Sequence, residues 1–141
     1  MRYVLDSSVA FKSAIFEQDS SDATRLIDDY RHALHELMAP DIFPYELAHA
    51  FTRAERQGRL VLGEAYAHWA GVMISSPTLI PSHVLMPRAI DIASTARIGV
   101  YDCIYVALAE QESCEFVTAD AKLFRNLHIQ FPFIVMLSSL P

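Results

Sequence analysis

Short apolar runs alternate with segments of helical periodicity along the whole chain, and that alternation predicts an α/β fold around a central, mainly parallel sheet. Tyr3 to Leu5 is a buried strand, stopped by Asp6-Ser7-Ser8, a cluster suited to capping a helix. A short helix through Val9 to Ile15 follows. Ser20-Ser21-Asp22 starts a second helix with Ala23, Leu26, Ile27, Tyr30 and Leu34 at helical spacing. Leu37 to Ala39 is a strand closed by Pro40. A long helix begins between Asp41 and Tyr45, tolerates Pro44 in its first turn, and carries Phe43, Leu47, Ala50, Phe51 and Ala54 on one stripe. Gly63 opens a helix with Tyr66, Trp69, Ala70 and Met73 on one face. Thr78 to Ile80 reads as a brief strand. Leu85, Ala89, Ile92, Ala93 and Ala96 mark a helix stopped by Gly99. Asp102 opens a helix whose body, Cys103 to Ala109, is apolar on every face. The chain finishes with a strand at Glu115 to Thr118, a helix from Asp120 to Leu127 and a strand at Phe133 to Leu137. Parallel strands need helical crossovers that cover both sheet faces, so the expected architecture is a three-layer α/β/α sandwich with residues 1–141 in one domain.

The composition supplies a core and narrows the partners. With 52% hydrophobic and 20% charged residues, the chain can bury enough apolar surface to fold. A formal charge of −6 argues against purely charge-driven binding of nucleic acid. It leaves room for a nuclease, because bound divalent cations reverse the local sign of a carboxylate site. Cys103 and Cys114 form neither a zinc spacing nor a disulfide framework, which fits reduced thiols in a cytoplasmic protein. No stretch approaches the ~18 apolar residues of a membrane span. The apolar run before Asp6 is too short for a signal peptide, so a soluble intracellular protein is expected.

Four carboxylates stand out. Asp6 follows the first strand and Asp120 follows the strand ending at Thr118. If those strands are parallel, both acids lie on the sheet edge where α/β folds bind ligands. A helix N-cap is the other ordinary use of each Asp, Asp102 included. Asp102, however, heads an all-apolar helix and should face the interior or a cleft. Glu46 lies between Phe43 and Ala50 of the buried stripe and points coreward, whereas Glu55 suits the solvent face. A buried carboxylate without a partner is costly. A hard divalent cation such as Mg²⁺ or Mn²⁺ resolves the cost, since it prefers oxygen ligands.

Four segments then resemble a known family. Val4-Leu5-Asp6-Ser7-Ser8, Pro40 followed by Tyr45-Glu46-Leu47-Ala48, Tyr101-Asp102 leading into Cys103 to Ala109, and Val117-Thr118-Ala119-Asp120 look like the signature segments of PIN-domain nucleases, in the family's order. The size is most similar to VapC-type toxins of toxin–antitoxin pairs. The resemblance implies a four-acid site that binds Mg²⁺ or Mn²⁺ and cleaves RNA, leaving 5′-phosphate and 3′-hydroxyl ends. It makes Asp6 and Asp102 the main metal ligands, with Glu46 and Asp120 completing the site directly or through water. Ser8 and Thr118 match small hydroxyls that could position a water, and a plain cap is the other reading of Ser8. His49 stands where the family often has Asn. A structural hydrogen bond is its expected role, with a metal or substrate contact as the alternative. A homodimer and a cognate antitoxin covering the acidic cleft are also implied.

Arg53 and Arg56 share a face of the Glu46 helix and could hold RNA phosphates, as could Lys122 and Arg125 beside Asp120. A solvated helix face is the other reading of each pair. An aspartyl phosphatase would want a second acid two residues after Asp6, and Ser8 stands there instead. An RNA-processing PIN nuclease without an antitoxin, and a binding module whose acids are structural, remain as alternatives.

Overall fold

The computed structural model describes all 141 residues. The strands are β1 (Arg2–Leu5), β2 (Glu36–Pro40), β3 (Thr78–Ile80), β4 (Glu115–Thr118) and β5 (Ile134–Met136). The helices are α1 (Ser7–Ala14), α2 (Ser20–Arg31), α3 (Phe43–Arg56), α4 (Glu64–Met73), α5 (Met86–Ala96), α6 (Val100–Glu112) and α7 (Ala121–Leu127). Every strand pair is parallel, and the order across the sheet is β3-β2-β1-β4-β5. The expected mainly parallel sheet is therefore wholly parallel.

The order fixes the layers. From β1 the chain steps outward to β2 and β3, then crosses back to β4 and on to β5. Right-handed crossovers place helices on opposite faces when the stepping direction reverses. Accordingly α1, α2, α3 and α4 pack on one another, while α5 packs on α6 and α7 lies against β4 and β5. The result is the three-layer α/β/α sandwich. The reversal falls between β1 and β4, which is the topological switch point where a crevice opens beyond the strand ends.

The middle of the sandwich is fully buried. Val4, Leu5, Phe116 and Val117 of the two central strands are 0% exposed, and Cys103 to Ala109 of α6 are all buried. The Tyr105 ring stacks on Phe116 with 5.5 Å between centroids, coupling α6 to β4. This explains why the α6 sequence lacks a polar face: the sheet and α5 enclose it.

Three expectations need correction. Leu34 lies outside its helix, because α2 ends at Arg31 and Ala33 takes a left-handed backbone with φ 58°, which breaks the helical phase and turns Leu34 outward. Gly99 does not stop the preceding helix. That helix ends at Ala96 and is capped by Arg97, which takes the left-handed conformation (φ 60°), while Gly99 is extended (φ −64°, ψ 143°) and is the N-cap of α6. Asp102 is consequently the third residue of α6 rather than its opener. Tyr66, on the face of α4 read from the sequence, is 73% exposed.

Phe116→Ala should destabilise the protein by roughly 3–5 kcal/mol, through lost burial and the cavity left beside Tyr105. Tyr66→Ala, at an exposed site, should change stability by no more than about 0.5 kcal/mol. Urea unfolding of both variants checks the contrast.

Candidate active site

The candidate site begins at the ends of β1 and β4. The Asp6 backbone N–H extends the ladder by donating to Val117 O at 3.0 Å. Its carboxylate, only 6% exposed, accepts from Thr118 Oγ1 at 2.7 Å and from Ser8 Oγ at 2.9 Å, both on Oδ2. The two hydroxyls reach back to the chain after β4: Thr118 Oγ1 accepts from the Asp120 N–H at 3.0 Å, and Ser8 Oγ from the Ala119 N–H at 3.1 Å. A ring of hydrogen bonds thus closes the switch point. The Asp6 side chain accepts nothing from the α1 backbone, so it is not a side-chain helix cap, and neither is Ser8.

Asp120 divides its oxygens. Oδ1 accepts from the Lys122 and Leu123 N–H groups at 3.0 and 3.1 Å, which is an N-cap for α7. Oδ2 has no protein partner. The capping reading therefore holds for Asp120 without using the whole carboxylate.

Glu46 and Asp102 approach from the first turns of α3 and α6. Phe43, Leu47 and Phe51 anchor one side of α3 in the core, and this phase turns Glu46 inward. Glu46 Oε1 is buried without a hydrogen-bond partner, and so is the Tyr105 hydroxyl. These two groups and Ser7 are close enough to influence one another without completing a hydrogen bond. Asp102 is half-buried and makes no side-chain hydrogen bond. Glu55 is not a free solvent-facing acid. It accepts the Gly63 and Ala65 N–H groups at 2.8 and 2.9 Å and so ties α3 to the start of α4.

The acids raise one another's proton affinity. Burial pushes the Asp102 carboxyl up to about 7, and repulsion from Asp6, Glu46 and Asp120 adds to it. Burial also raises Asp6, against the downward pull of Thr118 and Ser8. Glu46 is raised by burial and by Asp6, against the pull of Tyr105. Burial, then the charges of Asp6 and Glu46, hold the Tyr105 phenol well above its ordinary value.

Two hollows flank the cluster. One, of about 600 Å³, is lined by Ser7, Ile42, Tyr45, Glu46, His49 and Tyr101. The other, of about 430 Å³, includes Arg97, Asp102, Asp120 and Lys122 in its lining. As the side chains stand, no three acids converge on one point at coordination distance. The donor set nevertheless suits a hard cation: four carboxylates, a buried Glu46 oxygen without a partner, and an Asp102 whose charge is opposed by its neighbours.

The remaining sequence candidates separate. Lys122 lines the second hollow, whereas Arg125, exposed on the same short helix, does not. Arg53 and Arg56 are exposed in the last turn of α3, far along the helix from Glu46. His49 lies at the rim of the first hollow and its ring makes no hydrogen bond, so the structural bond expected for it is absent. Arg97, Tyr45 and Tyr101 were not legible as site residues. The two tyrosines directly precede Glu46 and Asp102, which was the available signal.

Residues 3–128 match the PIN domain family, and the chain belongs to it. Over 136 residues it is 29% identical to the VapC ribonuclease Mb0985 of Mycobacterium bovis, covering 94% of this chain and 97% of that protein. Ribonuclease VapC9 of Mycobacterium tuberculosis is similar at the same identity and coverage. The crystal structure of PAE2754 from Pyrobaculum aerophilum shares the fold with a TM-score of 0.71 at 20% identity, over 99% of this chain and 94% of that one.

An unfolded Asp titrates near 3.9, so an Asp102 raised to about 7 keeps its proton in the folded state across the interval between. The folded protein binds more protons there, and its stability rises as pH falls from about 7 toward about 4. In EDTA, Asp102→Asn should therefore melt above the parent near neutral pH, with the gap closing toward pH ~4. Thermal melts across that range test this. A variant that melts below the parent near neutrality would make Asp102 a structural acid.

Proposed function

We propose that this chain is a divalent-cation-dependent endoribonuclease and the toxin of a toxin–antitoxin pair, acting in the cytoplasm. The observation that carries the reading is the gathering of four acids from four segments at the switch point of a PIN-domain sheet. The names of the VapC relatives supply the substrate, RNA.

Asp6, Asp102, Asp120 and Glu46 would hold Mg²⁺ or Mn²⁺. When bound, such an ion lowers the pKa of water and offsets charge on the phosphate. Thr118 and Ser8 hold Asp6 by Oδ2 and leave Oδ1 free to face the cleft. The Asp120 cap fixes that carboxylate and presents Oδ2. Glu46, which lines the first hollow, would accept a hydrogen bond from the attacking water. Water adds to phosphorus, the bond from phosphorus to the 3′ oxygen breaks, and the proton given up by the water is returned to that leaving oxygen. The products are a 5′-phosphate and a 3′-hydroxyl. Lys122 and Arg97 hold phosphate oxygens beside Asp102 and Asp120, while Arg53, Arg56 and Arg125 meet the RNA farther out. His49 contacts substrate at the rim of the Glu46 hollow.

An antitoxin would close the cleft by placing Arg or Lys among the acids, in the position of the cation. Exposed Leu62, Tyr66 and Ile74, on and around α4, support pairing with a second copy. No helix is long and apolar enough to cross a membrane.

Asp6→Asn should keep its circular dichroism and lose Mg²⁺- or Mn²⁺-dependent RNA cleavage. Thr118→Val keeps the shape but removes the hydroxyl that holds Asp6, and should cost ~10–100-fold in metal affinity or activity. Either metal should raise the melting temperature of the parent far more than that of Asp102→Asn. Full cleavage by Asp6→Asn would refute the four-acid site. Separately, light scattering at micromolar concentration should give a dimer, and a monomer would refute the self-association.

A further inference from the structure

The two hollows beside the acids have opposite chemistry. Arg97 and Lys122 line the one shared by Asp102 and Asp120, which has no aromatic residue. The hollow beside Glu46 has no Lys or Arg and is faced by two tyrosines. Tyr45 is 76% exposed and Tyr101 62% exposed. Neither hydroxyl makes a hydrogen bond, and neither ring packs on another aromatic ring.

Each tyrosine directly precedes an acid in a helical first turn, Tyr45 before Glu46 in α3 and Tyr101 before Asp102 in α6. Successive residues on a helix are turned by ~100°. Tyr45 accordingly lines the same hollow as Glu46, whereas Tyr101 is turned away from Asp102, which lines the other hollow, and into the Glu46 hollow. Two different helices converge on one aromatic-faced hollow in this way.

Resting on the ribonuclease reading, we infer that Tyr45 and Tyr101 form a stacking platform for an unpaired nucleobase of RNA beside the scissile phosphate. The RNA at the cut is single-stranded. Its phosphates run to the Arg97 and Lys122 side, and one base turns into the tyrosine side. The hollow of about 600 Å³ falls within the ~300–1,000 Å³ of small-ligand sites. Stacking tolerates any base and needs no fixed donors, in keeping with a wall that offers ring faces and no cations. A duplex cannot use this wall, because its base faces are covered by neighbours in the stack.

The test measures binding to the Asp102→Asn protein in Mg²⁺, with a short RNA carrying 2-aminopurine in an unpaired run and with the same RNA in a duplex. The single strand should bind more tightly than the duplex, and its 2-aminopurine fluorescence should be quenched. Tyr45→Leu and Tyr101→Leu should each weaken single-strand binding ~5- to 150-fold, while Phe replacements stay within about twofold of the parent. The leucine variants should keep the salt dependence of binding, whereas Arg97→Gln and Lys122→Gln should flatten it. Melting temperatures confirm that the exposed substitutions leave the fold intact. Leucine variants that bind as tightly as the parent, or a duplex bound as tightly as the single strand, overturn the platform. If the otherwise unmodified chain still cleaves RNA with Mg²⁺ or Mn²⁺, that failure leaves the ribonuclease reading standing. A chain that neither binds nor cleaves RNA defeats both.

Discussion

Asp6 is a charged group at the end of a central strand in a parallel sheet, a place where burial is costly unless hydrogen bonds offset it. The Thr118 and Ser8 hydroxyls supply those bonds, and the same hydroxyls accept N–H groups from the segment after β4. The ring does two jobs at once. It satisfies buried polar groups, and it sets the spacing between the strand ends that carry Asp6 and Asp120. Glu46 and Asp102 are then brought over that fixed edge by helices whose phase the core determines. The acid cluster thus follows from the sheet topology and one local network.

The parts of this arrangement legible in the sequence are those that follow from strand direction and helical phase. Asp6 and Asp120 share an edge because their strands are parallel. Glu46 points inward because Phe43 and Leu47 do. The less legible parts depend on backbone conformation between elements. Nothing in the residue type of Arg97 announces a left-handed helix end, and this displaces the start of α6 to Val100. Ala33 hides the end of α2 in the same manner. Lys122 and Arg125 look equivalent as neighbours of Asp120, yet only the first lines the hollow. Tyr45 and Tyr101 figure in the sequence only as neighbours of Glu46 and Asp102, and their exposure shows only in three dimensions.

The cluster also illustrates a conflict between stability and chemistry. Like charges are held together by a frame that is stable for other reasons, chiefly the buried α6 and the Tyr105–Phe116 stack. Tyr105 belongs to both sides of that conflict. Its ring completes the core, and its hydroxyl lies near Glu46 without finding a hydrogen-bond partner. Sites assembled for ligand binding often retain such unresolved polar groups, and the surrounding fold must carry their cost.

The bond between Asp6 and Thr118 joins residues 112 positions apart. Closing so long a loop is entropically late and must await the pairing of β4 beside β1. During synthesis from the N-terminus, the ribosome releases Asp6 and Glu46 well before β4, and Asp102 shortly before it. Until β4 emerges and docks, the nascent chain has the acids but not the frame that gathers them. The topology therefore acts as a timer, withholding the assembled carboxylate centre until β4 has been made and has docked beside β1.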